Sequence, residues 1–484
     1  MTFSTTSSAH GTVVAGVDCS TQATKVVVVE VDSGAVVATG RAEHVVRGVD
    51  GARESDPAGW WTALRDALAR TGRAGDVRAI AVGGQQHGLV TLDADGRPLR
   101  PALLWNDTRS APDAAALVAD LGPEAWADRT GSVPLASFTV TKWAWLRRNE
   151  PDVARTTAAV RLPHDFLTER LTGRAVTDRG DASGTGWWTP AATAGGYDDT
   201  ILGLPAVGLD PSLLPEVLPP FAAAGTVTGS AAGELGLGDD VVVAPGTGDN
   251  MAAALGLGLV PGQPTLSLGT SGTAYVVSER RPADPTGVVA GFADATGRFL
   301  PLACTLNCTL AVDQVARWLG RDREAVERSD GVVVLPYFDG ERTPNLPDAT
   351  GTIVGLRSTT GAGQILMAAY EGAVASLVEA IDALAEQAGG LDDGAPLVVV
   401  GGGAAGVAWR EVIGRLSGRP LLVPRAEELT AIGAAVQAAV VLTGEAPDEV
   451  AARWQTAEGE VIDPVPRDDE RLALIRATRG EMAG

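Results

Sequence analysis

Three cysteines and four histidines in 484 residues leave little material for a disulfide framework or a zinc centre. Cys304 and Cys308 are close in sequence, but no histidine lies near them to complete a metal site. An odd, sparse count of this kind fits a reducing compartment, and the expected location is cytoplasmic. No cluster of lysine and arginine breaks a balance of 60 acidic against 38 basic residues, a net charge of −22. A surface that negative repels nucleic acid and anionic lipid, so neither is an expected partner. Met1–Gly11 is polar and lacks the basic-then-apolar pattern of an export signal. No stretch is expected to reach the ~18 apolar residues of a membrane span, and no short-period repeat marks a solenoid.

What is present is 45% hydrophobic residues in alternating segments, enough for each half of the chain to bury its own core. Strands are expected from Val13 to about Val46, at Val77–Val82 and at Leu89–Leu92, with a hairpin tip at Ser33-Gly34. Ser55-Asp56-Pro57 caps a helix, and helical patterns follow at Pro112–Leu121, Thr139–Asn149 and Asp165–Leu171. Between Gly195 and Asp240 the texture loosens into Pro, Gly and Ala, which places a domain boundary at about residue 238. The expected domains are therefore 11–238 and 239–484. The second half restarts with strand Val241–Ala244 and a helix at Asn250–Gly256, and carries a long helix at Gly363–Ala388. Strands at Pro396–Val400 and Pro420–Val423, a helix at Thr430–Leu442 and a helical tail from Arg467 complete an α/β chain.

One design occurs twice: an apolar run, a turn rich in small hydroxylated residues, and a second apolar run. The first unit is Val13–Glu30, with the turn Asp18-Cys-Ser-Thr-Gln-Ala-Thr-Lys25; the second is Thr265–Val277, with the turn Gly269-Thr-Ser-Gly272. Such a tip offers N–H groups and hydroxyls to an anion, and two facing tips would clamp a polyphosphate. Either turn alone is also what an ordinary polar hairpin looks like. Asp18 argues for more, because a carboxylate at the end of an apolar strand is costly without a partner, and water-held Mg²⁺ would be one. Lys25 either approaches phosphate or snorkels at a strand edge.

Asp249 follows strand Val241–Ala244 and a glycine turn, just before a helix. It reads as an N-cap or as a carboxylate aimed at a hydroxyl that receives a phosphoryl group. Gly401-Gly402-Gly403-Ala404-Ala405-Gly406 matches GxGxxG, with Glu427 at the spacing of a ribose ligand, and so admits a dinucleotide site. Beside two phosphate-type hairpins it is better read as an adenosine-binding turn, with the small residues of Ala431–Ala435 packing beside it. Gly84-Gln85-Gln86-His87-Gly88 puts amides and one of the few histidines on a loop, a pattern that suits vicinal hydroxyls. Trp105 with Asn106 and Asp107 offers an aromatic face and polar groups, although Trp105 serves equally well as core.

Taken together, these motifs resemble the FGGY carbohydrate kinases. The series runs through DCSTQATK at Asp18, DPAGWW at Asp56, GQQHG at Gly84, LLWNDTR at Leu103, LPHDFL at Leu162 and DASGTGWW at Asp181. GTGDN at Gly246, SLGTSG at Ser267, LPYFDGERTP at Leu335 and GGGA at Gly401 complete it. The resemblance implies a duplicated actin-like, ribonuclease-H-like fold around a cleft, with ATP and Mg²⁺ as cofactors. GQQHG and LWND imply phosphorylation of D-xylulose to D-xylulose 5-phosphate; another ketopentose or a pentitol is the alternative. Carried over by position, Asp249 is the proton acceptor, and Gln86, His87, Trp105, Asp107 and Asn250 contact the sugar. Asp18 (holding Mg²⁺ through water) and Thr21 form the first phosphate motif; Gly269, Thr270 and Ser271 form the second. Gly402, Gly403 and Ala404 form the adenosine motif. Cys19 stands where the family turn usually has Gly, and Gln86 where better-known members have Met. Sugar and ATP are the expected partners, a homodimer is open, and transfer is expected in line within a closing ternary complex. Two other classes compete: a non-catalytic sugar-responsive regulator, which predicts loss of Asp18 or Asp249, and an NAD-dependent oxidoreductase built on the GxGxxG.

Overall fold

The computed structural model describes residues 11–190 and 195–482. The reading of Met1–Gly11 as free of an export pattern therefore lies almost entirely outside the described residues.

Two seven-stranded sheets are built on one plan. In the first, Val13–Cys19 and Ala23–Glu30 form an antiparallel hairpin that Val36–Glu43 extends. On its other side Val13–Cys19 runs parallel to Val77–Gly84, which runs parallel to Val242–Val243 and, further along, to Thr247–Gly248. Gly225–Thr226 closes that edge antiparallel. In the second sheet Pro264–Leu268 and Gly272–Val276 form the hairpin, extended by Phe299–Thr305 and Ala290–Ala293. Pro264–Leu268 runs parallel to Leu397–Val400, which runs parallel to Leu421–Pro424, and Gly459–Ile462 closes the edge antiparallel. This strand order is the actin-like, ribonuclease-H-like arrangement, present twice.

Alternation of apolar residues explains the layers. Ala15, Val17, Val26, Ile80 and Val82 face helix Pro57–Thr71, whose Trp60, Leu64 and Leu68 are fully buried. Val14, Val27, Val29, Ala79 and Ala81 point the other way, against helix Leu429–Thr443. That helix approaches unusually closely, because a Cβ on Gly16 would lie 1.9 Å from Ala431 O. The small residues of Ala431–Ala435 thus pack on the first sheet, not beside the glycine turn as the sequence led us to expect.

Helix Ala362–Ala388 covers the second sheet. It is long and apolar enough to cross a membrane, which corrects the expectation that no stretch approaches such a span. Most of that apolar stretch, 83%, is buried inside the protein, as a core helix requires. Residues 242–248 lie beyond the expected division at residue 238, yet they join the first sheet. The helix that begins at Asp249 therefore starts from the first sheet's end and rests on helix Leu429–Thr443.

Candidate active site

Three chain segments converge where the parallel strands end. Asp18 is the penultimate residue of Val13–Cys19, paired across the hairpin with Lys25 and across the parallel ladder with Gly83. It is buried, its Oδ1 has no hydrogen-bond partner, and Lys25 Nζ lies 3.7 Å from Oδ2. Burial, partly offset by Lys25 and reinforced by Asp249 and Glu428, pushes its carboxyl up to about 7. Lys25 is also paired with Glu428, a cleft residue that the sequence reading passed over in favour of its neighbour Glu427. Cys19 is a regular buried strand residue opposite Thr24, whose hydroxyl points to Sγ at 3.7 Å.

Asp249 is the first residue of helix Asp249–Gly256, but Gly248 occupies the cap position, so the N-cap reading does not hold. Its Oδ1 accepts from Asn250 N at 2.8 Å and from Asn250 Nδ2 at 2.9 Å. Burial raises its carboxyl to about 6 against the lowering effect of those bonds. The preceding turn is held by Gln437, whose amide exchanges two 2.9 Å hydrogen bonds with Gly246, a residue at φ +80°. Gln437 sits inside an apolar helix and gave no signal in the sequence.

Asn250 Nδ2 also donates to Gln86 Oε1 at 2.8 Å, which links the Asp249 segment to the GQQHG loop. Gln86 Nε2 is buried and unpartnered. His87 holds the left-handed backbone at φ +65°, a conformation that costs a non-glycine residue energy and concentrates at functional sites. Its ring stacks on Phe138 at 5.1 Å, and Nδ1–H donates to Gly184 O at 2.8 Å. Burial and the nearby cations Lys142 and Arg342 push the imidazole down to about 3, so Nε2 is a lone-pair acceptor at neutral pH.

Trp105 is 41% exposed and donates from Nε1 to Thr21 Oγ1 at 3.1 Å, so it is not a core residue. Asp107 is buried and spent locally: Arg53 N and the Arg109 guanidinium donate to it at 2.6–3.1 Å.

A cleft of about 700 Å³ joins Asp18, Lys25, Asp249 and Asn250 to Gly401, Gly402 and Ala404. Arg410 and Arg425 line it as well, and with Lys25 they set three cations against the acids Asp18, Asp249, Glu427 and Glu428. The glycine run does not lead straight into a helix as a dinucleotide turn does: a 3₁₀ turn, Gly402–Ala405, intervenes before helix Val407–Ser417. Gly403 faces inward, where a Cβ would lie 2.8 Å from that of Leu268. In the second hairpin tip Gly269 and Thr270 are exposed and Ser271 half-buried. Gly269 O there accepts from Thr309 N and Oγ1 at 3.1 and 2.7 Å. The structure thus brings Asp18, Asp249, Asn250, Gln86, Gly402 and Ala404 together, and leaves Asp107 and Gly403 in packing roles.

The models of the FGGY family of carbohydrate kinases match residues 13–256 (N-terminal domain) and 265–442 (C-terminal domain). The chain belongs to this family. Proteins similar to it include the xylulose kinase of Streptomyces rubiginosus, 60% identical over 99% of this chain and 98% of that protein. The xylulose kinase of Haemophilus influenzae is 32% identical over 92% and 91%. Among solved structures, xylulose kinase from Bifidobacterium adolescentis superposes with a TM-score of 0.84 at 35% identity, covering 97% of this chain and 99% of that one. Glycerol kinase from Plasmodium falciparum, at 20% identity, shares the fold with a TM-score of 0.85 over 97% of both chains.

Proposed function

We propose that this FGGY kinase transfers the γ-phosphoryl group of ATP to the terminal hydroxyl of D-xylulose, giving D-xylulose 5-phosphate and ADP. The observation that carries this reading is the continuous line from Gln86 through Asn250 to Asp249, whose last two members stand on the wall of a cleft shared with Asp18 and the glycine turn. The choice of sugar follows the full-length likeness to xylulose kinases.

Gln86 offers a free amide N–H and His87 a lone pair, so the pair can both donate to and accept from sugar hydroxyls. Asp249, with its carboxyl at about 6, is ionised at neutral pH yet basic enough to take the hydroxyl proton during transfer. Gly401, Gly402 and Ala404 let the adenosine lie against backbone, and Arg410 and Arg425 add positive charge beside it. Asp18 fits a hydrated Mg²⁺, since its buried Oδ1 lacks a partner; bound there, the ion supplies neutralisation of phosphate charge. Closure of the two halves excludes water from the transfer.

The test is an ADP-release assay over D-xylulose, other ketopentoses, aldopentoses, pentitols and glycerol. D-Xylulose is expected to have the highest kcat/KM, by roughly tenfold or more. A pentitol or another ketopentose in first place overturns the choice of substrate.

A further inference from the structure

Behind the base lies a buried polar cluster that the reaction just described does not use. His164 is wholly buried, and its Nε2 lies 3.3 Å from Asp165 Oδ1, 3.4 Å from Asp178 Oδ1 and 3.4 Å from Asp181 Oδ2. All three carboxylates are buried too, an arrangement that is costly unless it is compensated. Asp178 is the best satisfied of them. It accepts from Gly180 N at 2.8 Å, from Asp181 N at 3.0 Å and from the hydroxyl of Thr247 at 2.7 Å.

The last of these bonds reaches the chemistry. Thr247 stands two residues before Asp249, in the short strand Thr247–Gly248 that pairs with Gly83-Gly84 ahead of Gln86 and His87. His164 fills the space under both strands: a Cβ on Gly246 would lie 2.9 Å from its Nδ1, and one on Gly84 would lie 3.0 Å from its Cβ. Asp178 caps the short helix Arg179–Ala182. That turn is anchored in the second sheet, where Ala293 N donates to Ser183 Oγ at 2.9 Å.

We propose that Thr247, Asp178 and His164 are positioning residues for the reaction: the Thr247–Asp178 hydrogen bond, seated on His164, fixes where Asp249 stands relative to Gln86 and His87. The inference rests on the reading of Asp249 as the base. A misplacement of about 1 Å at a reacting group costs roughly 100-fold in rate while leaving ground-state binding largely intact. The network should therefore act on kcat and not on sugar affinity.

Thr247→Val removes the hydroxyl and keeps the shape; Thr247→Ser restores it. Steady-state kinetics with D-xylulose and ATP, and sugar binding followed by intrinsic tryptophan fluorescence, are measured on the full chain. Thr247→Val is expected to lose roughly 10- to 100-fold in kcat with sugar Kd within about threefold. Thr247→Ser should stay within about threefold of wild type in both. Asp178→Asn should reproduce the kcat loss, and the double variant should lose little more than the worse single one, because both break one unit. The proposal is overturned if Thr247→Val keeps kcat within about twofold, if kcat and Kd worsen together, or if the two losses simply add. If Thr247→Val does not fold, Asp178→Asn is judged by the same criteria. Wild type is assayed first: an inactive wild type overturns the reading of Asp249 along with the network, whereas an active Thr247→Val overturns the network alone.

Discussion

In the first sheet the hairpin tip carries a buried carboxylate, Asp18; in the second the same tip carries Gly269-Thr270-Ser271, with two of its three residues exposed. Where the neighbouring parallel strand ends, the first sheet offers Gln86 and His87, and the second offers Gly401–Gly403. Past the next parallel strand, the first sheet leads to Asp249 and the second to Arg425 through Glu428. One strand order thus presents side-chain acids and amides on one wall and mostly backbone on the other. That division suits phosphoryl transfer to an alcohol. The alcohol needs a base and hydrogen-bonding side chains, whereas a nucleotide needs N–H groups, close approach and some positive charge.

The comparison breaks most readily at the two tips. Asp18→Asn is expected to lower kcat by roughly 100-fold or more, while Thr270→Ala costs only several-fold and mainly in KM for ATP. Equal losses in steady-state kinetics would remove the asymmetry. Next come the two strand ends. Gln86→Ala should raise KM for the sugar roughly tenfold and leave KM for ATP unchanged. Gly402→Val should do the reverse, since it fills the cleft wall at the proposed nucleotide site.

A pH series sharpens the role of Asp249. Burial raises its carboxyl to about 6 and that of Asp18 to about 7, and each acts in its ionised form, so kcat should fall as pH drops from about 7 through about 6, with the lower step lost in Asp249→Asn. A kcat that stays level across that range contradicts the assignment.

The smallest effect concerns stability. Burial disfavours a charged His164, but Asp165, Asp178 and Asp181 outweigh it and raise the imidazole to about 9. A group whose pKa is higher folded than unfolded contributes stability that is complete below about 6.5 and lost as pH rises through the folded value. The urea midpoint of wild type should therefore fall between about pH 7 and about pH 10, and that of His164→Gln should fall less. Parallel curves would show that the cluster does not hold the charge.

Most elements were legible because apolar periodicity is a local property. The hairpin Val13–Glu30, helix Pro57–Thr71 with its Asp56 cap, and helix Thr139–Asn149 all stand where alternation and capping residues put them. Strands Ala290–Ala293, Phe299–Thr305 and Gly459–Ile462 were missed, because Gly291, Pro301 and a polar, exposed stretch around Glu460 blur their period. Asp18, Asp249 and the GQQHG loop were visible as polar groups at the ends of apolar strands. Gln437, Glu428 and Thr247 were not, because their importance arises from contacts with residues far away in the chain. The membership of residues 242–248 in the first sheet was hidden for the same reason: it depends on pairing with strand Val77–Gly84, far earlier in the chain.

The central claim is that the first sheet delivers the base at Asp249. Asp249→Asn keeps the shape and the capacity to bind Asn250, and removes the proton acceptor. Turnover of D-xylulose should fall by roughly 10²- to 10⁴-fold while the sugar Kd, read by tryptophan fluorescence, stays within about threefold. Turnover within about tenfold of wild type in a variant that still binds the sugar would contradict the account.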